Sequence, residues 1–357
     1  MILYISSVDS RIKAGFYNAV KYRVLGLKEL GYNVCAVNFN RSRDNISWCD
    51  VNISLSKFFN SKSIFKYFTE LRLFYSILRL ILIKKPSVIH VHWAYPVGYI
   101  SVKLAKLFNI KVIMTVHGSD IHTHPIKNKN IYKKTKYALS NAHVVFFVSE
   151  SLISEANNIF SLHGRNFRVS YNFYNDDILG LKYEVENNPN IIKVSYVGNF
   201  NKVKGVDRIY PIIESLIRKS DISVSLTLAG DGPLKLKVGN QLKSLNVDII
   251  TYGHLSSDSV YKLIKASDVI IMPSYKEGFG LIALESFLLE KPCIAFNIDG
   301  LNAVYKFNKD LQVSSIEEFS DKIIQCKKNS PIDVSSWKYK KRYSMKKIIK
   351  EEAYYYE

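Results

Sequence analysis

The chain has 357 residues, more than one hydrophobic core usually supports, so two domains are expected. Apolar residues at 47% and charged residues at 23% are ordinary for a soluble globular protein. With 50 Lys and Arg against 31 Asp and Glu, the net charge is +19, which asks for an anionic partner: nucleic acid, a membrane surface or a phosphorylated ligand. Cys35, Cys49, Cys293 and Cys326 show no C-x-x-C and no metal-finger spacing, so reduced thiols in a cytosolic protein are expected.

From the start, "MILYIS" reads as a strand and lacks the basic region of a secretory signal. "NVCAVNF", "SVIHVHW", "KVIMTVHG", "HVVFFVS" and "FRVSYN" continue the series, and "IKVSYVGN", "SVSLTLAG", "VDIITYG", "VIIMPS" and "KPCIAF" repeat it in the second half. Such nearly continuous apolar strands, separated by helical patterns, predict parallel sheets covered on both faces. Between the halves, "YNDDILGLKYEVENNPN" is polar and rich in Asn and Asp, as a linker would be. The longest run without Lys, Arg, Asp or Glu, Pro86 to Val102, contains two prolines and two histidines and is too short for a good spanning helix.

Residues 57–85 carry seven Lys or Arg, seven Phe or Tyr and one acid, Glu70. Ile64, Phe68, Leu71, Tyr75, Leu78 and Leu82 follow a helical stripe that would pack on the sheet. The aromatic surplus and one-sided charge suit an anionic membrane leaflet. A second basic run, "KYKKRYSMKKIIK", lies near the C terminus. Basic residues among aromatics also suit single-stranded nucleic acid, but no RNP, KH or helix-turn-helix signature accompanies them, so nucleic acid is not the expected partner.

In open α/β sheets, ligands meet the loops that leave the strands at their carboxyl ends. In "SYKEGFGLIALES", Gly278 and Gly280 let backbone approach a ligand, and a helix opening at Leu281 offers unpaired N–H groups suited to phosphate. Glu277 and Glu285 fit that setting if the ligand also presents hydroxyl donors, which is the outline of a sugar nucleotide. The bland alternative is a solvated loop residue and a surface helix residue. "YVGNFNKVKG" brings Lys204 to a second strand-to-helix loop, where it could meet a diphosphate or simply form a basic turn, and "LTLAGDGPL" is a third.

"GNFNKVKG", "LAGDGPL", "YGHLSSDSVYKLIKASDVIIMPS" and "EGFGLIALES" together resemble the retaining glycosyltransferases of family 4, of GT-B fold, and Glu277 with Glu285 fits their E-x7-E motif. The likeness covers the second half; "SRIKAGFYNAVKYRVLGLKELGYNV", "PSVIHVHW", "TVHGSD", "VSESLISEA" and "VSYNFYN" extend it more loosely to the first. It implies two Rossmann-like domains facing across a cleft, with a last helix crossing back to the first domain. The expected boundaries are 1–175, a linker at 176–190, a nucleotide-sugar domain at 191–335, and the returning helix at 336–357. By resemblance, Glu285 holds the donor's ribose, and Glu277 with the Gly278-Phe279-Gly280 backbone and Leu281 holds its sugar. Lys204 neutralises the diphosphate, His117 faces the transferred sugar, and Gly15 lets its loop approach the phosphates.

Two positions depart from the family pattern. Asn199 stands where an Arg usually pairs with the lysine on the diphosphate; either Lys202 or Arg208 substitutes for it, or the site binds donors more weakly. Phe173 stands where a Gly usually follows Asn172. No D-x-D occurs, which favours a leaving group stabilised by Lys204 and a helix end without metal or other cofactor. His90, His92, His117, His122 and His124 tempt one toward zinc, but no carboxylate or cysteine is spaced to complete a set. The implied activity is retaining transfer of a sugar, UDP-linked, to a hydroxyl of a lipid-linked glycan in bacterial surface-polysaccharide assembly, on the inner face of the cell membrane. A sugar-nucleotide epimerase or hydrolase, and a non-catalytic membrane- or nucleic-acid-binding scaffold, remain as rivals.

Overall fold

The computed structural model describes residues 1–8, 15–40, 46–55, 63–163, 166–174, 176–181, 188–329 and 332–357. The chain divides into two compact units, 1–173 with 345–357, and 174–344.

In the first unit the described residues form strands β1 (Ile2–Ser6), β2 (Val34–Asn40), β3 (Val51–Ser54), β4 (Val88–His92), β5 (Lys111–Val116), β6 (Val144–Phe147) and β7 (Phe167–Val169). They lie in the order β3-β2-β1-β4-β5-β6-β7, every neighbouring pair parallel. β1 and β4 are buried along their whole length, which is why they read as unbroken apolar runs: parallel sheets carry helices on both faces. β3 is short and only half-buried, so its polar sequence gave no strand signal.

The helix Ser63–Lys84 buries Thr69, Leu73, Ile77 and Ile81, four residues apart. The stripe expected inside lies largely outside instead. Phe68 is 49% exposed, Leu71 40%, Tyr75 60% and Leu82 55%. This helix has apolar residues on two faces, and only the narrower row, without aromatics, is buried; its neighbour in the unit is the helix Tyr99–Leu107. Residues 57–62 of the basic stretch, and the side chains of 63–67 with Ile64 of the stripe among them, lie outside the described residues. No described helix is long and apolar enough to cross a membrane.

The last helix, Met345–Ala353, does pack back into the first unit, against the helix Phe16–Glu29. Arg23 Nε donates to Glu352 Oε1 at 2.9 Å, with both side chains fully buried. Arg23 also donates to the carbonyls of Ala19 and Tyr171 and lies over the Phe173 ring. Phe173, the unexpected residue after Asn172, thus serves as the aromatic floor of a buried cation. The returning segment begins later than expected. Residues 336–344 belong to the second unit, because Tyr339 and Tyr343 are buried there with their hydroxyls donating to the carbonyls of Val304 and Ala303. The expected linker also differs: Asp176–Gly180 forms a 3-10 turn grouped with the second unit, and 182–187 lie outside the described residues.

In the second unit, β8 (Ile191–Val197), β9 (Ser223–Ala229), β10 (Asp248–Tyr252), β11 (Val269–Met272), β12 (Cys293–Phe296) and β13 (Gln312–Val313) form a parallel sheet ordered β10-β9-β8-β11-β12-β13. In both sheets the order reverses at the first strand, between β1 and β4 and between β8 and β11. Those reversals open crevices at the carboxyl ends of the strands.

Removing one member of a buried ion pair strands the other. Arg23→Leu should therefore lower unfolding free energy by roughly 3–5 kcal/mol, read from the urea midpoint; a loss under about 1 kcal/mol would show that the pair is not buried as described.

Candidate active site

The loops leaving β8 and β11 run side by side at the second unit's order reversal. The turn Lys202–Lys204 is capped by Asn201, whose side chain accepts the Lys204 N–H at 3.0 Å. Gly205 follows with φ +62, and a Cβ there would stand 1.9 Å from the Pro273 carbonyl oxygen. Only glycine fits both the left-handed turn and the close approach. The Val203 carbonyl accepts the Tyr275 N–H at 2.9 Å, so one loop rests directly on the other.

This seating brings Lys204 Nζ to 2.7 and 2.8 Å from the two carboxylate oxygens of Glu277, and Ser274 Oγ donates to Oε1 at 2.8 Å. Glu277 is 8% exposed and Lys204 31%. A carboxylate beside an anion site would ordinarily repel phosphate; here the ammonium group balances it. Arg208, expected as a substitute for the missing arginine, is committed elsewhere. Its guanidinium lies 3.6 Å from the Tyr275 ring centroid and 4.1 Å from that of Phe296, and it donates to the Pro273 carbonyl at 3.1 Å. Asn199 is exposed, and its carbonyl accepts the Tyr196 hydroxyl at 2.9 Å. Lys202 is exposed as well.

The helix beyond Glu277 spans Leu281–Leu288 and opens at Gly280, with φ +91 and no side chain capping its first N–H groups. Those donors stay available to an oxyanion. The Phe279 side chain is buried edge-on to Tyr343, ring centroids 5.5 Å apart, so it is packed away from any ligand. Glu285 is half-buried and has no hydrogen-bond or ion-pair partner among the described residues. Desolvation pushes its carboxyl up to about 8. A surface helix residue would not behave so.

In the first unit, His117 follows β5 and is half-buried. Its Nε2 lies 2.8 Å from His92 Nδ1, and His92 Nε2 lies 2.5 Å from the Tyr4 hydroxyl. Burial holds His90, His92 and His117 well below the usual histidine range. The ring nitrogens of His90 go to Thr115 and Tyr356. Asp120 Oδ1 accepts the N–H groups of His117 and Gly118, and its Oδ2 that of Ala94. Burial raises Asp120 to about 6, against the lowering effect of those backbone bonds. Asp120 thereby ties the loop after β4 to the loop after β5. Gly15 takes φ +53 before the helix Phe16–Glu29, and Phe16 packs edge-on to both Trp93 and His117.

Sequence reasoning missed Tyr4, His92, Trp93 and Asp120 as contributors. Asp120 carried a weak signal, since an Asp in the loop after a strand commonly bonds nearby backbone N–H groups. Trp93 did not: its φ of +83 and its buried Nε1, without a partner among the described residues, are visible only in three dimensions.

Residues 2–149 match the family model described as "Glycosyl transferase 4-like", and residues 182–350 match "Glycosyl transferases group 1". The chain is 28% identical over 227 residues to N-acetyl-alpha-D-glucosaminyl L-malate synthase of Bacillus anthracis, covering 61% of this chain and 58% of that protein. It is 26% identical over 239 residues to a putative teichuronic acid biosynthesis glycosyltransferase of Bacillus subtilis, covering 64% and 57%. The chain thus matches less than two thirds of the length of these relatives. A crystal structure of HepE from Anabaena, in complex with UDP and glucose, superposes with a TM-score of 0.73 over 99% of this chain and 98% of that one, at 13% identity, a likeness of fold.

Because burial lifts Glu285 above its unfolded value of 4.5, its stabilising share is complete below 4.5 and lost as pH rises through about 8. Melting temperatures of Glu285→Gln should therefore gain on wild type as pH climbs from below 4.5 to above 8; a difference constant across that range would mean that the carboxyl is not desolvated.

Proposed function

The chain belongs to the family 4 glycosyltransferases of GT-B fold, and on that premise we propose that it moves a sugar from a nucleoside-diphosphate donor to an acceptor hydroxyl with retention at the anomeric carbon. The observation that carries this reading is the junction of Lys204, Glu277 and the uncapped helix start at Leu281, with Glu285 unpartnered further along the helix. The diphosphate would meet Lys204 and the helix N–H groups, where charge developing on the leaving group is stabilised. Glu277 and the Gly278–Gly280 backbone would take the sugar hydroxyls, and Glu285 the ribose diol, whose donated bonds would draw its pKa back down. His117 would contact the transferred sugar.

No covalent nucleophile is invoked. The departing phosphate oxygen helps to take the acceptor's proton on the same face, while the protein aligns the two substrates. With no D-x-D in the sequence, we take the transfer to be metal-independent. A UDP donor is favoured by the ligand of the HepE structure, and a glycan acceptor in surface-polysaccharide assembly by the relative named for teichuronic acid.

A lipid-linked acceptor is the reading favoured by the helix Ser63–Lys84. Phe68, Leu71, Tyr75, Leu82 and Ile83 line its exposed side with Arg79, and its single acid is consumed within the unit. Glu70 pairs with Lys134 Nζ at 2.5 Å and accepts the Tyr95 hydroxyl. The outer surface is left apolar and cationic, the chemistry of docking to an anionic leaflet.

The deciding experiment is a product screen against UDP-, GDP-, ADP- and TDP-sugars, with and without chelator, reading anomeric configuration by NMR. Donor turnover that needs no acceptor would point to a hydrolase or epimerase, and failure to bind any donor to a scaffold. Glu277→Gln should cut transfer by about 100-fold or more while nucleoside-diphosphate affinity holds; unchanged turnover removes Glu277 from the site. Arg72→Glu with Arg79→Glu should weaken binding to phosphatidylserine vesicles by about tenfold or more and leave nucleoside-diphosphate binding in solution intact; equal vesicle binding rejects the docking surface.

A further inference from the structure

His117 has two ring nitrogens, and its hydrogen-bonded neighbours bear on which of them carries the proton. All the groups concerned lie within the first unit. Tyr4 is fully buried on β1, and its hydroxyl has one partner among the described residues, His92 Nε2. Burial keeps that phenol protonated and both imidazoles neutral. A neutral imidazole has one N–H and one acceptor nitrogen, so the contacts can be ordered in two ways. In one, Tyr4 donates to His92 Nε2, His92 Nδ1–H donates to His117 Nε2, and His117 keeps its proton on Nδ1. In the other, every arrow reverses, and the hydroxyl hydrogen of the fully buried Tyr4 is left without an acceptor among the described residues. Buried donors without acceptors are strongly disfavoured.

We propose that Tyr4 and His92 are positioning residues which lock His117 as its Nδ1–H tautomer, so that it meets its ligand as a hydrogen-bond donor and not as a base. The stacking of the rings supports a fixed arrangement: His92 and His117 lie 5.1 Å apart with 22° between their planes. His117 is held from its backbone too, through Asp120. His117 Nδ1 has no partner among the described residues, so the N–H that the relay places there is available. A donor at this position selects an oxygen able to accept, such as a sugar hydroxyl. It also denies His117 a role in removing the acceptor's proton. The sugar part of this inference rests on the reading that His117 contacts the transferred sugar; the tautomer does not.

The test is long-range 1H–15N NMR of the full chain labelled at histidine, with His117 assigned by the signal lost in His117→Gln. Wild type should show His117 and His92 protonated on Nδ1. His117 protonated on Nε2 overturns the proposal. In Tyr4→Phe both rings should become tautomer mixtures; an unchanged pure Nδ1–H signal would overturn the relay. The same variant should lose roughly three- to tenfold in affinity for the sugar nucleotide, with affinity for the bare nucleoside diphosphate unchanged. Equal loss for both ligands would mark Tyr4 as merely structural. If the tautomer is as stated but His117→Ala binds sugar nucleotide as wild type does, the relay stands and the sugar contact falls. Should Tyr4→Phe fail to fold, the wild-type spectrum still decides the tautomer.

Discussion

The contact between Lys204 and Glu277 is the one on which the second unit's chemistry depends. It joins two loops 73 residues apart in sequence, and it can form only because β8 and β11 are neighbours at the point where strand order reverses. The ammonium group turns a carboxylate that would repel phosphate into part of a neutral pair. That leaves the uncapped helix start free to act on an anion, and the carboxylate oxygens free to be shared with hydroxyl donors. Glu285 is handled in the opposite way. With no cation paired to it among the described residues, burial favours its protonated form near neutrality.

The supports behind this pair are mostly backbone. Gly205 permits the close crossing at Pro273, Asn201 caps the lysine's turn, and Arg208 is clamped between Tyr275 and Phe296 so that it holds the Pro273 carbonyl. The first unit solves a similar problem with side chains. There Asp120 gathers three backbone N–H groups, and a file of stacked imidazoles fixes a ring orientation. Both solutions place a polar group at the carboxyl edge of a parallel sheet, where helix starts and loop amides leave donors unspent.

Much of this was legible in the residues. The central strands were plain because burial on both faces leaves unbroken apolar runs, and the glycine loops stood out because few other sequences allow such turns. β3 and β13 were invisible because four half-buried residues and two residues carry no usable period. The helix Ser63–Lys84 misled for a different reason: apolar residues fall on two of its faces, and periodicity alone does not say which one meets the sheet. Tyr4 read as a core strand residue and His92 as a tempting metal ligand, and nothing local distinguishes a buried tyrosine that packs from one that orients a neighbour's proton. Arg208 looked like a free cation because its aromatic partners are remote in sequence.

The buried pairing of Arg23 with Glu352 has a consequence for biosynthesis. The first unit is not a continuous stretch of chain: its own ion pair, and the hydroxyl that reaches His90, come from residues made after the whole second unit. A nascent polypeptide that has emerged only as far as Phe173 holds an uncompensated guanidinium and cannot yet close around it. The part translated first is therefore the part finished last, and the intervening unit has every one of its strands in hand before that closure takes place.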